Sequence, residues 1–351
     1  MDLAFCSQCG FIWNASFDPD LQDYSDEYES TQAYSPTFNR FAANLAQRLV
    51  DNFDLHQKDI IEIGCGQGEF ISLLCQLGQN RGIGFDPSFD PNRPSPADQD
   101  PSTSIIADYY SEKYAHLKAD FICCKMTLEH IRDVATFMGT VRRSIGENKD
   151  ATIFFQVPDV SRILEEFAFW DIYYEHCSYF SMGSMARLFR SQGFNVERIW
   201  REYGSQYLLI SAKPASGQPT PPLSDENDLQ EVAQGVTRFS NQLPAILDHW
   251  REVICEQYDQ GKKVVLWGSG SKGVAFLTTL GIFKEIQYTV DINPNKTGTF
   301  MAITGQEVVA PDFLASYRPD LVIMMNPLYR KEAGDRMAEM GVYPQIMSVG
   351  E

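Results

Sequence analysis

Residues 169–180 read Phe-Trp-Asp-Ile-Tyr-Tyr-Glu-His-Cys-Ser-Tyr-Phe, and positions 173–176 within them set two phenols, a carboxylate and an imidazole side by side. Removing a proton from carbon to leave a carbanion or enolate takes a base whose pKa lies near neutrality and a donor for the oxygen that becomes negative. His176 has the ordinary pKa for the base. Tyr173 can donate to an oxyanion, and Glu175 can orient the imidazole or stabilise its charge. The chain has only five histidines, so one beside Glu175 and Tyr173 is a catalytic candidate. A buried aromatic segment with one hydrogen-bonded histidine is the alternative.

A second group is Glu62, Gly64, Cys65, Gly66 and Gly68, in the stretch Glu-Ile-Gly-Cys-Gly-Gln-Gly between an apolar run and an amphipathic one. Glycines in that context let the backbone approach a ligand closely. A dinucleotide loop spaces its glycines G-x-G-x-x-G. Here the spacing is G-x-G-x-G, with an acidic residue two positions before the first glycine. This resembles motif I of methyltransferases, and the resemblance implies that the loop faces the methionine part of S-adenosylmethionine. Asp86, followed by Pro87, closes the next apolar run, where a carboxylate can accept both ribose hydroxyls of such a cofactor. Asp108, after the run beyond that, can accept from an adenine amino group, and an exposed helix-capping aspartate is the equal alternative.

These residues need a scaffold, and the apolar patterning supplies one. Strand-like runs at 60–63, 82–86, 104–107, 121–125 and 152–157 alternate with helix-period segments, the rhythm of a parallel sheet covered by helices. Residues 70, 71, 73, 74 and 77 make one apolar helical face, which Gly78 stops. Ser35 and Pro36 read as the N-cap and first position of a helix over 37–51. Two β-rich runs, 194–203 and 206–213, flank Gly204 and Ser205 and predict an antiparallel hairpin at the sheet edge, as in class I methyltransferases. The Pro/Gly/Ser-rich stretch from Pro214 to Pro222 reads as a linker. Beyond a helical stretch over 225–260, the strand–turn–helix pattern restarts at 264–273, with further strands at 286–291, 321–325 and 345–349. The expected architecture is α/β: a class I methyltransferase sheet with an antiparallel edge hairpin, then a smaller Rossmann-like domain. Its divisions are a leading segment 1–35, a cofactor domain 36–214, a linker 215–224 and a C-terminal domain 225–351.

The formal charge of −18 over 351 residues disfavours nucleic acid and anionic membranes as partners. The N-terminal residues lack the basic and apolar regions of a signal peptide, and no run reaches membrane-spanning length, so a cytoplasmic protein with a small-molecule substrate is expected. The eight cysteines are scattered and read as reduced thiols.

The segment from Tyr173 to Phe180 also resembles the Tyr-His-Glu-His element of nucleotide-sugar C-methyltransferases. The likeness extends over nearly the whole chain, through Cys6 and Cys9, the loop around Gly64, Leu-Glu-His-Ile at 128–131, the turn at 268–273, Asp-Ile-Asn-Pro-Asn-Lys at 291–296 and Asn326-Pro327. It implies His176 as the base acting next to a 4-keto carbon, Tyr173 and Glu175 as its partners, and His130 as a second active-site histidine. It gives Ser269, Lys272 and Asn326 a place near phosphate or ribose. Tyr28 and Tyr34, in the segment before the cofactor domain, are candidates for a lid or substrate contact, with an acidic aromatic surface loop as the alternative.

Two departures from the family are visible. Position 174 is Tyr where the sugar enzymes have His, so Tyr174 marks a changed substrate-facing surface. The family's N-terminal zinc module uses two cysteine pairs, whereas Cys6 and Cys9 supply two of the four ligands a structural zinc needs. A complete zinc site is therefore not expected, the module being shortened or lost, and no other metal is. Two further readings stay open: methyl transfer to oxygen or nitrogen, and an NAD- or nucleotide-binding protein using the Gly268-Ser269-Gly270-Ser271-Lys272-Gly273 turn with Asp291.

Overall fold

The computed structural model of the chain describes residues 1–21, 31–217 and 220–351. They form two compact units, each assembled from separate stretches. The described residues of 1–28, 40–161 and 174–234 make the first, and those of 29–39, 162–173 and 235–351 the second.

Two short strands, β1 (Leu3–Phe5) and β2 (Ile12–Asn14), open the chain and are followed by helix α1 (Pro36–Phe53), whose N-cap Ser35 accepts from the Phe38 N–H at 3.2 Å. Next come β3 (Asp59–Ile63), α2 (Glu69–Gly78), β4 (Arg81–Phe85), β5 (Thr103–Ile106), β6 (Phe121–Lys125), α3 (Val134–Ile145) and β7 (Thr152–Pro158). After α4 (Val160–Glu165) and the two-residue β8 (Ser178–Tyr179), α5 (Met182–Ser191) leads into the long strands β9 (Phe194–Glu202) and β10 (Tyr207–Pro214).

The main sheet has seven strands in the order β5-β4-β3-β6-β7-β10-β9. It is parallel from β5 to β7, and β10 runs antiparallel to both β7 and β9. The chain steps outward from β3 through β4 to β5, then returns to place β6 on the other side of β3. The loops leaving β3 and β6 therefore part in opposite directions above a crevice, the position where open α/β sheets take their ligands. Strands β6 and β7 are buried along almost their whole length, which explains their unbroken apolar reading.

Helix α2 ends as the pattern requires but for a different reason. Gly78 is its last residue, and Gln79 adopts the left-handed conformation at φ 53. Gly78 is needed because a Cβ there would strike the Leu55 carbonyl. A separate three-stranded antiparallel sheet, β1-β2-β8, pairs Ile12 with Tyr179 and Trp13 with Ser178. It fastens the N-terminal arm to the segment just after His176. Strands this short carry no readable alternation, and the sequence reading contains none of the three. The first unit also continues past the Pro/Gly-rich stretch. Glu226 is bound by Arg190 of α5 at 2.7 Å, and Asp228 accepts from the Gly183 N–H at 2.7 Å.

Helix α6 (Leu229–Asp259) leads to the elements of the second unit: β11 (Val264–Trp267), α7 (Ser271–Leu280), β12 (Tyr288–Val290), β13 (Glu307–Val309), α8 (Leu314–Tyr317), β14 (Leu321–Met324), α9 (Arg330–Glu339) and β15 (Gln345–Ser348). Their five-stranded sheet runs β13-β12-β11-β14-β15, all parallel. Strand order reverses beside β11 here as it does beside β3 in the first unit. Val265, Val290, Val322 and Met324 anchor its core. The expected strand at 286–291 narrows to β12, and β13, of three residues, is additional.

A buried carboxylate knits the second unit together. Asp171 accepts from Lys272 Nζ and the Tyr173 hydroxyl, at 2.7 and 2.8 Å, and from Arg162. Burial alone would raise its pKa, but Lys272 and Arg162 outweigh burial and hold it at about 2. The unfolded reference is about 3.9, so the stabilisation is complete above that value and is lost as pH falls toward 2. We predict that Asp171→Asn lowers stability near neutral pH by about 3–5 kcal/mol, because Lys272 loses its buried counter-charge. Urea midpoints should differ most near neutrality and draw together as pH falls from about 4 toward 2; equal midpoints at pH 7 would contradict this.

Candidate functional site

The loop after β3 turns on three glycines in the left-handed region, Gly64, Gly66 and Gly68, at φ 73, 56 and 85. Only glycine takes this run of conformations without strain. The Gly64 N–H donates to the Phe85 carbonyl at 2.8 Å, and the Gly66 N–H donates to Asp86 Oδ2 at 2.8 Å. A Cβ at Gly64 would collide with the side chain of Thr127 in the loop after β6. The two loops of the crevice thus touch through the space a side chain would fill.

Asp86 Oδ1 accepts from the Ser88 N–H and hydroxyl, at 2.9 and 2.7 Å. The carboxylate therefore braces the loop, yet with about four acceptor positions it keeps capacity for further donors. Pro87 is half-buried in the turn that follows. Under the loop, Cys65 is buried, and burial pushes its thiol well above the usual range. Glu62 is 2% exposed; burial raises its pKa to about 7, against the pull of Lys125, whose Nζ lies 3.9 Å away. Asp108 is engaged within its own turn, accepting from the Tyr109 N–H at 2.8 Å, Tyr114 hydroxyl at 2.6 Å and Lys113 Nζ at 3.0 Å. Tyr114 first, then Lys113, lowers its pKa.

On the other side of the crevice, the Thr127 loop runs into a short helix, Leu128–His130. Glu129, His130 and His176 bring ligand-type atoms within 4.8 Å of one another. The two imidazoles meet edge to face, with centroids 4.7 Å apart. The Cys177 N–H donates to the Glu129 carbonyl at 2.7 Å, which fastens the His176 segment to this helix. Burial lowers His130 to about 4, against a main-chain hydrogen bond from its ring to Glu175 that raises it, so the ring is neutral. Glu129, 1% exposed, is raised by burial to about 8.

The carboxylate inside this trio is thus Glu129, a residue the sequence reading did not assign. The available signal was its place beside His130 in the Leu-Glu-His-Ile run after the fourth strand. Glu175 is half-buried and meets the His130 ring through its main chain. Tyr174, expected to face substrate, is committed elsewhere. Its hydroxyl accepts from the Asp18 N–H at 2.9 Å and donates to the Ser16 carbonyl at 3.2 Å, and its ring stacks on Phe17. The N-terminal arm uses this phenol as an anchor, a role the sequence reading did not give it.

In the second unit, the Tyr173 hydroxyl donates to Asp171, and the Tyr34 hydroxyl accepts from Asn295 at 3.2 Å. Ser269 donates to Asp291 Oδ2 through its N–H, at 3.1 Å, and its hydroxyl, at 2.5 Å. The Asn326 side chain accepts from the Leu328 N–H at 3.1 Å, and Lys272 is paired with Asp171. Tyr28 lies outside the described residues. Cys6 and Cys9 sit in one tight turn with their thiols hydrogen-bonded. Among the described residues no third histidine, cysteine or carboxylate joins them.

Comparison with known proteins agrees with the two sheets. Residues 33–199 match the model of a methyltransferase domain, and residues 222–342 match that of the C-methyltransferase C-terminal domain. The chain is an S-adenosylmethionine-dependent C-methyltransferase. It is a distant homologue of C-methyltransferase NovU of Streptomyces niveus, 24% identical over 355 residues that take in 97% of this chain and 83% of that one. Solved structures similar to part of this methyltransferase include CalO1, a methyltransferase in calicheamicin biosynthesis, at 15% identity and a TM-score of 0.38 over 51% of this chain and 55% of that one. Another is the 1,6-didemethyltoxoflavin-N1-methyltransferase of Burkholderia thailandensis, at 13% identity and a TM-score of 0.41 over 62% of this chain and 100% of that one. At these scores neither bears on the site. Among the described residues, no helix is long and apolar enough to cross a membrane.

The glycine turn makes a direct prediction. Gly64→Ala should weaken S-adenosylhomocysteine binding at least tenfold, about 1.4 kcal/mol, because the new methyl drives the loop away from Thr127. Isothermal titration checks this, and an unchanged affinity in a folded variant would contradict it.

Proposed function

We infer that this methyltransferase alkylates a carbon next to the keto group of a nucleotide-linked sugar, or of a related small keto compound, with His176 as the base that generates the enolate. The observation that carries this reading is the buried trio of Glu129, His130 and His176, set on the loop whose Thr127 packs against Gly64. An imidazole held beside the cofactor loop serves proton removal from carbon. The resemblance of residues 173–180 to the sugar enzymes supports the substrate class.

Bound S-adenosylmethionine supplies an electrophilic methyl group. Gly64, Gly66 and Gly68 are assigned to its methionine portion, with Glu62 and Cys65 shaping the loop from beneath, and Asp86 to the ribose hydroxyls. Pro87 and Asp108 are assigned to the adenosine side. His176 takes the proton from the substrate carbon, and neutral His130 packs against it without adding charge. Tyr173 is assigned to donate to the oxygen that becomes negative, which requires turning its hydrogen away from Asp171. Glu175 holds the His130 ring through its main chain. In the second unit, Ser269 and Lys272 follow β11 and Asn326 follows β14. They flank the point where that sheet reverses its strand order, a position suited to a nucleotide. Tyr28 and Tyr34 are kept as candidates for closing over the ligands.

The test uses nucleoside-diphosphate 4-keto sugars in heavy water. Wild-type enzyme should wash deuterium into the carbon beside the keto group. His176→Ala should exchange at least about 10²-fold more slowly while still binding S-adenosylhomocysteine. Wild-type exchange that survives His176→Ala would remove His176 as the base, and no exchange into any such sugar would remove the substrate class.

A further inference from the structure

Glu129 takes no part in the steps assigned to His176 and Tyr173, yet its surroundings are unusual. It is 1% exposed, and neither carboxyl oxygen has a hydrogen-bond partner among the described residues. An isolated buried carboxylate is costly unless it is protonated or faces a cation. Among the described residues, the titratable groups around it include His130 on the same short helix, His176 from the segment before β8 and the thiol of Cys124 on β6, while the Cys177 thiol turns to the His130 carbonyl at 3.3 Å. Burial keeps both thiols neutral, and His130 is neutral as well. Among the described residues that share this cluster, the group that can become a cation during the reaction is His176.

Resting on the role given above to His176, we propose that Glu129 is its proton partner: the two side chains hold one proton between them, and the Glu129 carboxylate balances the imidazolium formed during catalysis. A separation of up to 4.8 Å within the trio is closed by a side-chain rotation or one bridging water. The tie between the Cys177 N–H and the Glu129 carbonyl, at 2.7 Å, keeps the two segments together.

In the step itself the substrate C–H bond breaks and its electron pair stays with the carbon as an enolate, while the proton goes to the His176 imidazole. The enolate carbon bonds to the methyl group as the carbon–sulfur bond breaks, and that electron pair remains on sulfur. The proton leaves His176 through Glu129 to solvent. No oxidant or reductant is required. Only ionised Glu129 can balance the imidazolium, so turnover should rise with pH as Glu129 loses its proton, near 8.

Histidine-ring nitrogen NMR of the substrate-free protein tests this, comparing wild type with Glu129→Gln. The wild-type His176 ring nitrogens should show a titration step near pH 8, where Glu129 ionises beside them, and Glu129→Gln should abolish that step. The infrared carbonyl band of a buried carboxylic acid should vanish in the same variant. Identical His176 titrations would overturn the proposal. So would a Glu129 that is ionised at neutral pH and turns acid only after a chelator is added, which would give the cluster to a divalent cation. Glu129→Asp guards against a folding defect, since it keeps the carboxyl and should restore the step. With a keto-sugar substrate in hand, Glu129→Gln should lower kcat about 10- to 100-fold, flatten the alkaline rise and leave KM unchanged. The ring titration needs no substrate, so a wrong substrate class and a wrong role for Glu129 give separate failures.

Discussion

The positive-φ turn that follows the first strand of each Rossmann-like sheet is the constraint on which the rest of the structure depends. In the first unit the Gly64 N–H closes on the Phe85 carbonyl, the Gly66 N–H on Asp86 Oδ2 and the Ser88 N–H on Asp86 Oδ1. In the second unit the Gly268 N–H closes on the Val290 carbonyl, the Ser269 N–H on Asp291 Oδ2 and the Asn293 N–H on Asp291 Oδ1. In both, an aspartate at the end of the second strand clamps the loop and leads into its own turn. The same bonding scheme therefore occurs twice in one chain, each time at the sheet's reversal point. Evolution by duplication is not needed to explain it: a strand-to-helix turn beside a parallel neighbour has few other ways to satisfy its N–H groups.

The two turns differ in what they leave room for. After β3 the missing side chain of Gly64 admits Thr127, and Thr127 begins the short segment that carries Glu129 and His130. A turn of three left-handed glycines and a cluster of one carboxyl and two imidazoles are thereby placed on adjacent loops of one crevice. The surrounding electrostatics come almost entirely from desolvation: it raises Glu62 and Glu129 and depresses His130. A site tuned by burial holds its groups neutral at rest and makes charge favourable only in pairs. That suits chemistry in which a proton must leave carbon before a methyl group arrives.

Much of this was legible in the sequence. The strands of four or more residues in both sheets, the edge hairpin and the glycine loop with Asp86 carry apolar runs or spacing strong enough to read. Strands β1, β2, β8 and β13 have three residues or fewer, too few for a period, and with them went the anchoring role of Tyr174, whose partners lie more than 150 positions away. Glu129 escaped for a related reason. Its local signal, a histidine as the next residue, is one that Glu175 shares, and only packing shows which carboxylate is sealed away from water beside the imidazoles. Asp171 sits inside the same aromatic segment as His176, but its grip on Lys272 spans about a hundred residues of chain.

Carbon as the methyl acceptor is the central claim, and the bond that is made tests it most directly. S-adenosylmethionine labelled with carbon-13 in its methyl group would be turned over with a keto-sugar nucleotide uniformly labelled with carbon-13. The account predicts a one-bond carbon–carbon coupling between the new methyl and the sugar carbon beside the keto group. A labelled methyl without such coupling, at the chemical shift of an ether or an amine, would contradict it.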